Sequence, residues 1–430
     1  MATDPKEEYF RAFERDNRPY VSINLPFQTA CAKHATSTFY ASRIYIIVSN
    51  SISKSANFGK LKDALGDKIV GIRYGIRHHT PWPDVLETAR EVHEKKADLL
   101  ITLGAGSLTD GAKVVSFAVG NQAFDEDALS RIAEDAESDE KADPTSIKDP
   151  YPPIITIPTS LSGGEYNPFA GATDLRTDQK RAFRHPKIGP ALIILDPELC
   201  TTTPQSVWLA SGMRAVDHCV EGLAGVFFSP NSKANKEERS QAEKTFLEGL
   251  KGILPGLLAT KKDEGDVEAR KRAILGVVAT MRGFKVGAPM GASHGIGHQL
   301  GPLGVGHGET SCVLLPSVLK WNLGQAQKKG QDWVQDRQTV VLEAFYADKD
   351  VATALKKRDL GREGAALGDV VKAFVQELGL PSSLKDVGVG PDQFDKLAKN
   401  AMTDGMLKTN PVPITGEEDV KEIIKLAAGA

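Results

Sequence analysis

The chain has 430 residues, of which 41% are hydrophobic and 25% charged, and its formal net charge is −3. This length favours two domains, and the average composition excludes a disordered or fibrous protein. The slightly acidic balance argues against nucleic-acid binding through a basic surface. The N-terminus has no apolar signal-peptide core and no apolar run is long enough for a membrane span, so we expect a cytoplasmic protein that binds no membrane.

In the first half of the chain, short apolar runs alternate with helical stretches. We predict a helix over residues 83–96 and strands over residues 44–48, 68–74, 97–103, 154–157 and 191–195. This alternation is typical of a parallel α/β sheet. The acidic stretch over residues 125–150 is predicted to be a solvated helix and loop.

From residue 197 onward, helical periodicity replaces the strand pattern. We predict helices over residues 204–226, 236–258, 267–286, 316–321, 331–347, 367–378 and 417–428. No stretch in this half reads as a strand. The sequence therefore predicts an α/β domain over residues 1–196 and an all-helical domain over residues 197–430.

A glycine-rich turn follows the third predicted strand. Gly104, Ala105, Gly106 and Ser107 precede a helix that we expect to begin near Leu108. Glycines allow a backbone to approach a phosphate, and the free N–H groups of a helix start face its negative charge. A turn that merely reverses the chain would have the same composition. For Asp110 and Lys113 on the helix, the plain interpretation is a helix-dipole partner and a surface lysine.

A second polar loop, residues 158–167, follows the next predicted strand. The hydroxyls of Thr159, Ser160 and Ser162 could line a nucleotide, although an ordinary loop would look alike. Nucleotides bind at the carboxyl ends of the strands in open α/β sheets. Two such loops after parallel strands therefore favour nucleotide binding.

Four histidines stand out in the helical half. His218 follows Arg214 by one helical turn, His294 and His298 are one turn apart, and His307 follows a glycine-rich segment. A single histidine of this kind is more often a core residue. Together, His218, His294 and His307 could hold a divalent metal, or without one could transfer a proton.

Five segments in this order carry a family resemblance: GAGSLTDGAK from residue 104, PTSLSGGE from 158, DPEL from 196, GMRAVDHCVE from 212 and HGIGHQLG from 294. The chain resembles the iron-containing alcohol dehydrogenase superfamily, and within it the maleylacetate reductase branch. The resemblance implies a Rossmann-like dinucleotide-binding domain followed by an all-helical domain, an architecture shared with dehydroquinate synthase. It also implies an active site in the cleft between the domains, and a homodimer.

The implied cofactor is NADH or NADPH. The residues that match the family's pyrophosphate-binding pattern and its second nucleotide loop are Gly104, Gly106, Ser107, Asp110, Thr159, Ser160 and Ser162. Asn50 stands where members that prefer NAD carry an aspartate, so we expect NADPH to be tolerated. His298 matches the position nearest the nicotinamide, and His218, His294 and His298 are the candidate proton donors.

Metal-binding members of the superfamily use one aspartate and three histidines as ligands. The histidines match His218, His294 and His307, but Arg214 occupies the aspartate position. A guanidinium cannot ligate a metal and repels a cation. Asp217 lies about 100° around the helix from His218, which makes it a poor substitute.

We therefore expect the metal to be absent or weakly held. In its place, Arg214 would bind a substrate carboxylate or polarise the reacting carbonyl. The alternative interpretation of Arg214 is an ion pair within its own helix, with Asp217 or Glu221.

These observations predict an NAD(P)H-dependent oxidoreductase. It would reduce a carbonyl or an activated double bond of a small, carboxylate-bearing substrate, as maleylacetate reductases do. Three alternatives stay open: a metal-dependent alcohol dehydrogenase, a dinucleotide-binding enzyme that catalyses a non-redox dehydration or cyclisation, and a non-catalytic scaffold. Consumption of NAD(P)H with a substrate separates the redox reactions from the other two.

Overall fold

A computed structural model describes residues 6–14, 16–77, 79–137, 147–177 and 179–429. The chain divides into two compact units, Met1–Thr202 and Thr203–Ala430. Within the described ranges, no helix has the length and apolar character that a membrane crossing requires.

The first unit contains strands and helices in alternation. Its strands are β1 (Glu8–Arg11), β2 (Tyr20–Ile23), β3 (Ile44–Val48), β4 (Ile69–Tyr74), β5 (Leu99–Gly104), β6 (Ile154–Pro158), β7 (Phe169–Asp174), β8 (Gln179–Arg184) and β9 (Leu192–Leu195). Its helices are α1 (Phe27–Ser37), α2 (Ala56–Leu65), α3 (Trp82–Glu94), α4 (Gly106–Gly120), α5 (Glu126–Glu137) and α6 (Pro197–Cys200). Part of the predicted acidic loop, residues 138–146, lies outside the described residues.

Seven strands form one sheet in the order β1-β2-β9-β6-β5-β3-β4. All pairs in it are parallel except β1 with β2. Every residue of β3, β5 and β6 is buried, which matches the continuous apolar runs from which these strands were predicted. The predicted parallel α/β sheet is confirmed.

The sequence analysis missed four strands. β1 and β2 form an antiparallel edge, and β7 and β8 form a separate antiparallel hairpin. β7 reads FAGATD, with alternating burial and a glycine and an aspartate inside it, and β8 carries three charged residues. Such short, half-exposed strands lack the apolar run that identifies central strands.

The second unit is all-helical over residues 203–429, as predicted. Its helices are α7 (Gln205–Ala224), α8 (Lys236–Lys262), α9 (Val267–Lys285), α10 (Ala292–Leu300), α11 (His307–Lys329), α12 (Asp332–Ala347), α13 (Lys349–Lys356), α14 (Leu367–Glu377), α15 (Phe394–Ala401) and α16 (Glu417–Ala427). A 3₁₀ turn, Gly405–Thr409, precedes α16.

One helix is much longer than predicted. The sequence pattern predicted only a short helix over residues 316–321. In the structure Pro316 lies in the interior of α11, which begins at His307. The glycines that resembled a loop permit close packing: a Cβ on Gly308 would lie 2.4 Å from the backbone of Ala210 in α7. This correction places His307 at the start of a helix.

Candidate active site

In the first unit, the glycine-rich turn joins the end of β5 directly to α4. The N-cap of α4 is Ala105, which makes no side-chain cap hydrogen bond. The first backbone N–H groups of this 15-residue helix are therefore left without a side-chain acceptor, at its positive end. This is the arrangement that binds phosphate in dinucleotide-binding folds.

The two glycines of the turn, Gly104 and Gly106, have different surroundings. Gly104 has φ +147°, and a Cβ there would lie 2.6 Å from Leu108 Cδ1 and 3.1 Å from Ser49 Cβ. At Gly106 the nearest atom to an added Cβ is Ser162 Cβ, at 3.8 Å. Gly104 is thus required by the backbone itself, whereas Gly106 leaves space in front of the helix start.

The ends of three neighbouring strands meet at this turn. The Ser49 N–H donates to Leu103 O at 3.1 Å, and the Thr159 N–H donates to Gly104 O at 3.1 Å. The hydroxyl oxygens of Ser160 and Ser162 lie 3.2 Å apart. The structure therefore brings the second loop next to the glycine turn and Ser107. Asn50 follows β3, and a Cβ on Gly75 would lie 2.6 Å from its amide nitrogen.

Lys113 was interpreted as a surface lysine, and this was wrong. Its side chain is fully buried, and its ammonium donates to the carbonyls of Gly164, Asn167 and Phe169 at 2.7–3.1 Å. It also forms an ion pair of 3.6 Å with Asp110. Burial lowers the pKa of Lys113. The lysine therefore joins the end of the second loop and the start of β7 to α4.

In the second unit, α7 presents four ionisable side chains on one face. Arg214, Asp217, His218 and Glu221 follow the spacing i, i+3, i+4, i+7, and all four are buried. Measured from Arg214, Asp217 lies only about 60° around the helix, so both belong to the same face. In the sequence analysis, the separation of about 100° around the helix from His218 made Asp217 a poor substitute for the ligand aspartate.

Arg214 reaches across to α11. Its side chain is buried, with 2% of the residue exposed, and Nη1 donates to Thr310 Oγ1 at 3.2 Å and to Ser311 Oγ at 3.1 Å. Burial lowers the pKa of Arg214, and the nearby Asp217 and Glu221 oppose that effect. Arg214 thus forms hydrogen bonds with a neighbouring helix, α11.

The two acids join α7 to α10 and α11. Asp217 Oδ2 accepts hydrogen bonds from Ser293 Oγ at 2.8 Å and from Ser311 Oγ at 2.6 Å. Glu221 accepts from the N–H groups of Gly291 and Ser293 at 2.9 and 2.8 Å, which caps the start of α10. Burial raises the pKa of Asp217 well above its ordinary value and that of Glu221 to about 7.

His218 and His294 lie side by side in this interior. Their rings stack with centroids 4.9 Å apart, and His294 Nδ1 is 2.7 Å from Glu221 Oε2. Burial lowers the pKa of both rings well below the ordinary value. Burial therefore disfavours the charged form of both rings.

Several buried polar atoms of this group have no hydrogen-bond partner among the described residues. They are Arg214 Nε, Asp217 Oδ1, His218 Nδ1 and His294 Nε2. Buried polar groups are almost always paired in folded proteins. Four such atoms on one set of packed helices indicate a place that a bound molecule or water fills.

The other two predicted histidines are exposed. His298 Nδ1 lies 2.8 Å from Asp404 Oδ2, and 35% of the His298 side chain is exposed. Burial acts to raise the pKa of Asp404, but the hydrogen bonds from His298 and the Met406 N–H leave it lowered. His307 is exposed at the start of α11. The structure thus unites Arg214, His218 and His294, and leaves His298 and His307 at the surface of the unit.

Among the described residues, Asp217, Glu221 and His294 form a cluster that could hold a metal ion, with one donor atom of each within 4.8 Å of the others. The predicted alternative set, His218, His294 and His307, does not form such a cluster in the described part of the chain. The observed cluster includes Asp217, which the sequence analysis set aside.

Sequence reasoning missed five residues that complete this site. They are Ser293, Thr310, Ser311, Glu221 as a partner of His294, and Asp404. A helical spacing signal existed for Glu221 alone, four residues after Asp217. The others become neighbours only when distant helices pack together.

Comparison with known proteins agrees with this architecture. Residues 25–197 match the family described as iron-containing alcohol dehydrogenase, and residues 208–428 match its C-terminal domain. Dehydrogenase FUM7 of Gibberella moniliformis is 38% identical, over 98% of this chain and 99% of its own. Dehydrogenase ALT3 of Alternaria alternata is 40% identical, over 90% of this chain and 100% of its own.

The same fold occurs among solved structures. Maleylacetate reductase from Agrobacterium tumefaciens superposes with a TM-score of 0.69 at 22% identity, over 98% of both chains. The two family matches together span most of the sequence. The chain therefore belongs to the iron-containing alcohol dehydrogenase family and is an oxidoreductase of that family.

Proposed function

We propose that this protein uses NADH or NADPH to reduce a carbonyl or an activated double bond of a small, carboxylate-bearing substrate, without a metal ion. The observation that carries the proposal is the buried Arg214, whose positive charge lies at the position of the family's ligand aspartate. Two sets of residues support it: the phosphate-type turn of the first unit, and the Arg214–histidine group of the second.

The first unit fits a nicotinamide dinucleotide. The open space at Gly106 and the uncapped start of α4 suit the pyrophosphate, and the hydroxyls of Thr159, Ser160 and Ser162 line the same edge of the sheet. When bound, a dihydronicotinamide supplies the hydride of the reduction. The protein's part is to orient the reactants and to provide charge and a proton.

The donor set of the second unit does not fit a divalent cation. Asp217 Oδ2 and Glu221 Oε2 already accept hydrogen bonds from α10 and α11, and His294 Nδ1 lies 2.7 Å from Glu221 Oε2. A metal held by these three atoms would have to displace those bonds. It would also face the Arg214 guanidinium, whose repulsion of a dication at about 4 Å is roughly 2 to 8 kcal/mol.

Arg214 supplies the positive charge that a metal would otherwise bring. Its position is fixed by hydrogen bonds to Thr310 and Ser311, so little reorganisation is needed when negative charge develops nearby. A guanidinium can bind a carboxylate in a bidentate manner or polarise a carbonyl oxygen. Either role favours a substrate that carries an oxo or carboxylate group.

The proton comes from His298. His218 and His294 are poor proton donors, because burial lowers their pKa and disfavours the charged form of each ring. The His298 ring is partly exposed and holds Asp404 through Nδ1, which leaves Nε2 for a substrate. When the substrate carbonyl is reduced, its oxygen would take the proton from Nε2 of a ring protonated on both nitrogens, and the ring would become neutral.

A second candidate function rests on the Asp217–Glu221–His294 cluster. If a cation displaced the hydrogen bonds there, the protein would be a metal-dependent alcohol dehydrogenase. That function would favour simple alcohols and aldehydes, and it would fail when metal is removed.

The test follows oxidation of NADH and NADPH by chelator-treated protein with maleylacetate, 4-oxobutanoate and butanal. We expect oxidation with the two carboxylate-bearing probes and little with butanal. The Arg214→Gln variant, which keeps polarity but not charge, should lose at least about 100-fold in kcat/KM, since two or more charge-assisted hydrogen bonds disappear. Activity that appears only after Fe²⁺ or Zn²⁺ is added would support the second candidate instead.

A further inference from the structure

We propose that Asp404 is the positioning residue for the proton donor His298: it fixes the ring orientation and holds the proton on Nδ1, so that Nε2 serves the substrate. This inference rests on the proposed function, because it refines how the reduction obtains its proton. The sequence patterns did not single out Asp404, which lies 106 residues after His298.

The pair has the geometry of a directed hydrogen bond. Asp404 Oδ2 lies 2.8 Å from His298 Nδ1, and the exposed side-chain fractions are 16% for Asp404 and 35% for His298. The other carboxylate oxygen, Oδ1, accepts the Met406 N–H at 2.9 Å and caps the 3₁₀ turn. Each oxygen thus has one partner, which defines the direction in which the carboxylate faces the ring.

The turn that carries Asp404 is fastened to the helix that carries His298. A Cβ on Gly295 would lie 2.3 Å from Leu407 Cδ1, so this glycine of α10 is what lets the turn approach. Leu407 is buried, and Thr409 Oγ1 donates to Met290 O at 2.6 Å just before α10. His298 on α10 and Asp404 before the 3₁₀ turn are therefore held together by the packing of the turn against the helix.

The chemistry follows from this geometry. An ionised carboxylate accepts from Nδ1–H, and it stabilises the ring when the ring also carries a proton on Nε2. During reduction the Nε2–H bond breaks and an O–H bond forms at the substrate, while the Nδ1–H···Asp404 bond persists. The neutral ring then regains its proton from solvent through its exposed face.

Two substitutions separate positioning from folding. Asp404→Asn keeps Oδ1 as the acceptor for the Met406 N–H and turns its NH₂ group toward His298 Nδ1. Asp348→Asn is the matched control, because Asp348 caps α13 through the N–H groups of Asp350 and Val351 and has no histidine partner. Asp404→Glu tests whether a carboxylate alone restores function.

With maleylacetate and 4-oxobutanoate as probes, Asp404→Asn should lower kcat about 100-fold and leave the KM for NAD(P)H within about twofold. The solvent isotope effect on kcat should rise, because proton transfer becomes slower than hydride transfer. Asp404→Glu should recover part of kcat, and Asp348→Asn should behave like the unaltered protein. A kcat within twofold of the unaltered protein for Asp404→Asn would overturn the proposal.

A second measurement does not depend on turnover. In ¹⁵N-histidine-labelled protein, with His298 assigned through His298→Gln, the neutral form of the ring should keep its one proton on Nδ1, and in Asp404→Asn that proton should lie on Nε2. An unchanged ring spectrum would overturn the positioning role. If the unaltered protein reduces neither probe, the proposed function is wrong, and this spectrum alone decides whether Asp404 orients the ring.

Discussion

The Nδ1 atom of His294 lies 2.7 Å from Oε2 of Glu221, on a carboxylate that also caps the helix carrying this histidine. Glu221 therefore orients the His294 ring and anchors α10 at the same time. Nearby, Arg214 contributes a positive charge to the same interior. An arginine, two acids and two stacked histidines therefore lie together in one buried site.

Restoring an aspartate at position 214 should convert this interior into a metal site. In Arg214→Asp, a divalent ion meets an attractive charge instead of a repulsive one. At about 4 Å in high dielectric this is worth about 4 kcal/mol, or roughly a thousandfold in affinity. The measurement is Zn²⁺ and Fe²⁺ binding by calorimetry. The affinity of Arg214→Met, which only removes the charge, should lie between those of the unaltered protein and Arg214→Asp. An unchanged affinity in Arg214→Asp would show that residue 214 does not face the Asp217–Glu221–His294 cluster.

Gly106→Ala should weaken cofactor binding without weakening the fold. The added Cβ meets only Ser162, at an ordinary 3.8 Å, but it occupies the space that a phosphate needs. We expect NADH and NADPH affinity to fall about tenfold or more, because a clash of only about 1.4 kcal/mol gives that factor. Fluorescence titration measures it. Gly59→Ala, where an added Cβ has nothing within 4 Å, is the control and should bind both cofactors normally.

Asn50→Asp should make the protein discriminate against NADPH. The new carboxylate would repel a 2′-phosphate and still accept a hydrogen bond from a 2′-hydroxyl. We expect NADPH affinity to fall about tenfold or more and NADH affinity to change less than about threefold. Asn50→Ser controls for the loss of the amide. Equal losses for both cofactors would mean that Asn50 does not approach the ribose.

The stability of the protein should fall as pH rises through the weakly acidic range. Burial raises the pKa of Glu165 from the ordinary 4.5 to about 7, so between these values the folded protein binds more protons than the unfolded chain. The free energy of unfolding then decreases with rising pH, by up to about 3 kcal/mol for this group.

Urea unfolding at pH 5 and pH 8 measures this effect. Glu165→Gln cannot ionise and should lose this part of the pH dependence, whereas Glu94→Gln, at an exposed site on α3, should retain it. If Glu165→Gln and the unaltered protein show the same pH dependence, Glu165 is not protonated in the folded state.

The central strands were predictable because a strand that is buried on both faces reads as a continuous apolar run. β7 was not predictable, because only one of its faces is buried and its sequence FAGATD contains a glycine and no continuous apolar run. α11 was predicted too short, because Gly308 and Pro316 are helix breakers in isolation. In the structure Pro316 lies inside the helix, and Gly308 packs against α7.

The site likewise contains residues that local spacing predicts and residues that it does not. Arg214 and His218 are one helical turn apart, so their shared face followed from spacing alone. The contacts of Arg214 with Thr310 and of His298 with Asp404 join residues about a hundred positions apart and depend on tertiary packing. No local pattern encodes them. The homodimer and the cytoplasmic location stay predictions.

The most direct test of the account is the metal dependence of NAD(P)H oxidation. Protein purified without chelators is analysed for iron and zinc, and then assayed with maleylacetate and 4-oxobutanoate before and after exhaustive chelation. We expect far less than one metal ion per chain, and a rate that chelation leaves unchanged. About one iron or zinc per chain, with activity lost on its removal and restored by its return, would contradict the proposed role of Arg214.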